Sequence, residues 1–140
     1  DAFLVPASYM GITADLPLRS IVDGIMTAVG GAADALTQSY GESVRSKSGY
    51  RTALIELAVL LNAALTAAAV RQIFMKKVGQ HLEVVYGVFN LQNHTVGLPD
   101  STAPGKGWQA GFRKPPQAAA DFAALALVMA RSQHIAQHLL

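Results

Sequence analysis

The stretch from Ser48 to Gly79 constrains this chain most. It reads SGYRTALIELAVLLNAALTAAAVRQIFMKKVG, and between Gly49 and Gly79 it holds neither proline nor glycine. Alanine, leucine and other good helix formers fill it, so a helix of ~30 residues and about 45 Å is expected. Ser48 is the expected N-cap, and Gly79 behind Lys76 and Lys77 the expected stop. Leu54, Leu57, Val59, Leu60, Leu61, Leu65, Ala68 and Ile73 span more than one face, which leaves little of the circumference for water. A membrane span is the competing reading of Ala53–Val70, interrupted only by Glu56, Asn62 and Thr66. Glu56 in lipid would cost about 2 kcal/mol or more, which favours a core helix.

Composition sharpens this. Hydrophobic residues make up 51% and charged residues 14% of the 140, against a usual ~25% charged. So few charges leave too little polar surface for a comfortable monomer, and other copies, a partner or lipid should cover the excess. Net charge is +2, unevenly spread. Residues 1–44 hold Arg19 against Asp1, Asp15, Asp23, Asp34 and Glu42. Residues 45–77 hold Arg45, Lys47, Arg51, Arg71, Lys76 and Lys77 against Glu56 alone. The long helix is therefore a basic element behind an acidic first third. Cysteine is absent, which excludes disulfides and thiol chemistry. The sequence starts at Asp1 and shows no secretory signal, so the expectation is a processed chain or one beginning inside a longer protein.

Residues 1–16 have no periodicity of their own, yet Phe3, Leu4, Val5, Tyr9 and Met10 are too apolar for a solvated tail. They are expected to form an arm docked on a neighbouring subunit. From Pro17 to about Tyr40, Ile21, Val22, Ile25, Met26, Val29, Ala32, Ala33 and Leu36 keep helical spacing. Gly30 and Gly31 sit mid-helix among small residues, so the segment is expected either to kink there or to let another backbone approach. Residues 80–91 mix strand and helix signals; without a partner strand in view, helix is the expectation. Residues 92–117 hold four of the six prolines and four of the twelve glycines and read as one long irregular segment. A last helix is expected from Pro116 to about His138, with Phe122, Leu125, Val128, Met129 and Ile135 inward.

Arg45, Lys47 and Arg51 surround the start of the long helix, where cations oppose the helix dipole. They become sensible if an anion sits on the free N–H groups, and a phosphate backbone would supply one. Otherwise they are the charges of a solvated turn. Arg71, Lys76 and Lys77 extend the positive charge along the same helix, and double-stranded DNA is the expected partner, held through its phosphates. His134 and His138 lie four apart and could share a metal ion, but no carboxylate in their helix completes a site, so none is expected. No nucleophile elbow, P-loop, dinucleotide fingerprint or paired-carboxylate pattern is present, and glutamate occurs only at Glu42, Glu56 and Glu83. No enzyme and no cofactor are expected. Asn93-His94-Thr95 is an N-glycosylation pattern in an exposed segment.

The expected fold is all-α: a small bundle of three to four helices (about 17–40, 50–78 and 117–138) with one long central helix. An extended apolar arm (1–16) and a Pro/Gly-rich loop (92–116) complete it. In architecture the chain resembles the small helical coat proteins of rod-shaped and filamentous viruses; no residue motif carries the likeness. The expected function is a structural, self-assembling subunit of a helical or filamentous particle, a coat protein packing nucleic acid in a virion or extracellular assembly. Alternatives are a membrane-associated helical protein, a pilus-like fibre subunit without nucleic acid, and a soluble adaptor or small-ligand binder.

Overall fold

The computed structural model describes residues 15–78, 83–99 and 108–140, with the side chains of 15–20 and 76–78 left aside. The expected arm contacts Phe3, Leu4, Val5, Tyr9 and Met10 lie outside the described residues, as do the side chains of Lys76 and Lys77.

Helix α1 spans Asp15–Tyr40 and α2 spans Tyr50–Val78. Gly41 ends α1 with φ 86°, a conformation that suits glycine, and its N–H bonds the Thr37 carbonyl at 2.8 Å. A 3₁₀ turn, Glu42–Ser46, buries Val44 and turns the chain back. Helices α1 and α2 then pack along each other through Ala28, Ala32, Ala35 and Leu36 on one side and Leu57, Leu60, Leu61 and Ala64 on the other, all buried. The many alanines bring the two axes close. Helix α3, Ala119–Ala130, lies against α1 and adds Ala126, Met129 and Ala130 to the core. Tyr40 donates its hydroxyl to the Ala130 carbonyl at 2.8 Å, which satisfies one of the orphan acceptors at the end of α3.

Helix α1 runs unbroken through Gly30 and Gly31. A side chain at Gly30 would meet nothing within 4 Å, and one at Gly31 would touch Phe122 Cε1 at 3.4 Å and Leu61 Cδ1 at 3.8 Å. Within the chain the pair does not end the helix, and what faces Gly31 is side chains rather than backbone. Gly31→Ala should therefore raise stability by ~0.4–1 kcal/mol through the unfolded state. Chemical denaturation measures it; a loss would show that a backbone from another copy crosses there.

The all-α expectation gives way to a mostly helical fold with a small antiparallel sheet. Strand β1 (Val88–Asn90) pairs with β2 (Thr95–Leu98), and β2 with β3 (Gln109–Ala110). Residues expected as helix and as irregular loop thus pair with each other. Tyr86 and Arg113 exchange backbone hydrogen bonds of 2.9 and 3.0 Å and extend the ladder. Gly97 permits the pairing, because a Cβ there would fall on the Gln109 carbonyl oxygen. The β1–β2 hairpin turns through Leu91–His94, with His94 at φ 55°, a left-handed conformation in which histidine is enriched.

The expected last helix is also divided. Helix α3 stops at Ala130, Ser132 is extended, and a short α4 (Gln133–Ala136) passes into a 3₁₀ turn, Gln137–Leu139. Ser132 is buried and donates its hydroxyl to the Met129 carbonyl at 2.6 Å, a local bond that competes with helix propagation. Of the residues expected inward, Met129 and Ile135 are buried, Phe122 and Leu125 are half-buried, and Val128 is exposed. The break redirects the segment so that Ile135 and Leu139 cap the core beside the start of α2.

Candidate functional site

A cavity of about 280 Å³ opens between the first half of α2, the β1–β2 hairpin and the 133–139 segment. Ile55, Val59, Leu60, Val88 and Leu91 supply apolar walls, and Glu56, His134 and His138 the polar ones. Glu56 is the one acidic residue of α2. Its Oε2 accepts a hydrogen bond from His138 Nε2 at 2.8 Å and lies 3.3 Å from His134 Nε2. The two imidazoles sit one helical repeat apart, which places both on one side of their segment and in reach of a single carboxylate oxygen. Their side chains are 21% and 23% exposed, so both histidines turn inward while Arg131, Gln133 and Gln137 of the same end are exposed. Burial lowers the pKa of His134, the Glu56 carboxylate raises it, and His138 lowers it again, with a net downward shift.

Trp108 covers the other side of His134, with ring centroids 5.4 Å apart and planes tilted by 55°. Its position is fixed by a relay of hydrogen bonds. Trp108 Nε1 donates to Thr95 Oγ1 at 2.9 Å, and Thr95 Oγ1 donates to Asn93 Oδ1 at 2.6 Å. The Asn93 carboxamide oxygen also accepts the Thr95 N–H at 3.1 Å, which closes the turn. Asn93 and His94 of the glycosylation pattern thus lie in the exposed hairpin turn, and Thr95 at the start of β2 anchors the indole.

Among the described residues no group of three histidine, cysteine, aspartate or glutamate side chains has an arrangement that could hold a metal ion. His138 Nε2 and Glu56 Oε2 are 2.8 Å apart, the spacing of a direct hydrogen bond. Sequence reasoning paired the two histidines and found no carboxylate in their own helix. The carboxylate comes from α2, 82 residues upstream of His138. Glu56 as the lone acid in an apolar helix was the available signal.

The basic residues fall in two places. Arg45, Lys47 and Arg51 are exposed at the turn between α1 and α2. Arg45 pairs loosely with Glu42 at 3.7 Å, and both side chains are mostly exposed. Lys47 Nζ donates to the Leu139 carbonyl at 2.8 Å and so also fastens the 3₁₀ turn. Arg71 lies about 30 Å further along α2, half-buried beside the Gln117 carboxamide. The structure therefore brings together the first three and keeps Arg71 apart. No protein-family model, curated protein or solved structure matches the chain.

Proposed function

We propose that the chain is a self-assembling structural subunit of a helical or filamentous particle, a coat protein that packs nucleic acid in a virion or extracellular assembly. The observation that carries this is a stripe on α1: Val22, Ile25, Met26 and Val29 are 48%, 46%, 67% and 38% exposed. Their spacing of three and four places them on one helix face. A second apolar group, Ile73, Phe74 and Met75 on α2, is exposed as well. Apolar residues set at regular spacing along a helix are an interface pattern, unlike apolar side chains scattered singly. Identical copies joined by one repeated heterologous contact build an open helical filament.

Mass measurement in detergent-free buffer together with electron microscopy of the same sample tests the reading. Large soluble particles with helical symmetry are expected, and a monodisperse monomer at high concentration would refute it. Helix α2 keeps the membrane reading alive: Tyr50–Met75 contains an 18-residue window of mean hydropathy 2.0, of which 39% is buried. Extraction only with detergent would favour that reading.

Nucleic acid is the proposed cargo because Arg45, Lys47 and Arg51 gather at one exposed turn, where repetition over many subunits would multiply the counterion release. Replacing Arg45 and Arg51 with Gln should strip nucleic acid from particles without unfolding them, read as a fall in the 260/280 nm absorbance ratio. Lys47 is kept in that variant because it also holds the Leu139 carbonyl. Native particles with the absorbance of bare protein would leave an empty, pilus-like fibre.

A further inference from the structure

We propose that Glu56, His134 and His138 form a proton-operated clasp that holds the 133–139 segment on α2 at neutral pH and releases it on acidification. Three observations build it. The segment's two imidazoles both face one oxygen of one carboxylate on α2, at 2.8 and 3.3 Å. That carboxylate lines a partly enclosed, mainly apolar cavity, and Trp108 packs against the His134 ring. The segment is joined to α3 only through the extended residue Ser132, so it can part from α2 without unwinding α3.

With both imidazoles neutral, each can present an Nε2–H to Oε2 while its other nitrogen stays unprotonated. One added proton converts a hydrogen bond into an ion pair with Glu56. The second would place two cations on a single carboxylate oxygen, and His134 is the more desolvated partner. Among the described residues the other elements offer no compensating negative charge. The hairpin contributes the neutral Asn90 and Gln92, the residue before β3 is the neutral Trp108, the α1–α2 turn contributes the cation Lys47 on the Leu139 carbonyl, and Arg131 is a further cation at the head of the segment. Every added proton beyond the first therefore works against the segment's position.

The direction follows from linkage. The His134 pKa is lowered in the fold, mainly by burial, so the unfolded or released segment binds its proton more tightly. The contribution to stability is complete above the ordinary histidine value of about 6.5 and is lost as pH falls through the lower, folded value. Release would uncover Ile135 and Leu139, both buried, and the floor of the cavity on α2. The clasp does not depend on the assembly proposal, since all its groups belong to one chain.

Hydrogen-exchange mass spectrometry on the intact wild-type chain, corrected for intrinsic rates, tests it between about pH 8 and about pH 5, the range in which histidine titrates. Protection of 133–139 should be lower at the acidic end than at the basic end, while 53–67 in α2 stays unchanged. The variant His134→Gln/His138→Gln retains side-chain N–H donors at every pH and should hold the segment equally at both ends. The single His138→Gln substitution should reduce the pH response if the double variant does not fold. Constant wild-type protection across the range, or an undiminished loss in the Gln variants, would overturn the clasp.

Discussion

Gly49→Ala is expected to destabilise the fold by about 3 kcal/mol, the upper part of the range for overpacking. An added Cβ at this position would fall on the His138 carbonyl oxygen, with the His138 carbonyl carbon 2.7 Å and Cα 3.3 Å away. The obstacle is backbone, so a side-chain rotation cannot relieve it. Two ties hold that backbone down: Lys47 Nζ on the Leu139 carbonyl, and His138 on Glu56. Moving the segment outward to admit a methyl group would stretch both and lift Leu139 out of the core. Thermal unfolding of Gly49→Ala beside Gly31→Ala is the direct measurement: the first should lower the midpoint and the second raise it. Equal, small effects at the two sites would mean that 133–139 does not sit against the start of α2.

The second large effect concerns assembly. Val22→Lys with Met26→Lys should yield folded, soluble subunits that no longer form particles. Both residues are exposed within the chain, at 48% and 67%, so lysine there disturbs no packed neighbour of its own subunit. With about half of Val22 and two-thirds of Met26 left to cover, burial between copies would contribute ~0.7–2 kcal/mol each. Losing both raises the concentration needed for assembly by on the order of 10–10³-fold, at 1.4 kcal/mol per factor of ten. Sedimentation and circular dichroism together separate the outcomes. Particles that still form at the native concentration would remove the α1 stripe from the interface.

The two long helices were legible because their signals are local. Tyr50–Val78 is an unbroken run of helix formers, and α1 carries its apolar spacing past both glycines. The all-α expectation failed where the determinants are distant or brief. Strands of three, four and two residues offer almost no alternation to read, and their pairing is decided by Gly97, which resembles a loop glycine until Gln109 is placed beside it. Gly49 misleads in the same way: as sequence it extends a flexible turn, and in the fold it marks the tightest backbone approach described for any glycine. The break at Ser132 hides because a single serine in an alanine-rich run costs little propensity. Its weight comes from burial and from the bond to Met129. Of the site, His134 and His138 were visible as a pair, whereas Glu56 and Trp108 join them only through tertiary structure.

The ties around residues 130–139 also bear on how the molecule is made. Tyr40 to Ala130, Lys47 to Leu139 and His138 to Glu56 close separations of 90, 92 and 82 residues, whereas α1 and α2 meet across a turn of under ten. The helical hairpin can form as soon as both helices leave the ribosome, but its final fastening waits for residues 130–139 to be synthesised. Long-range closure of this kind slows folding. During that interval the α1 stripe is already exposed on a body that is not yet locked, so under the proposed assembly the rate of chain completion would decide whether contact between copies or the final fastening comes first.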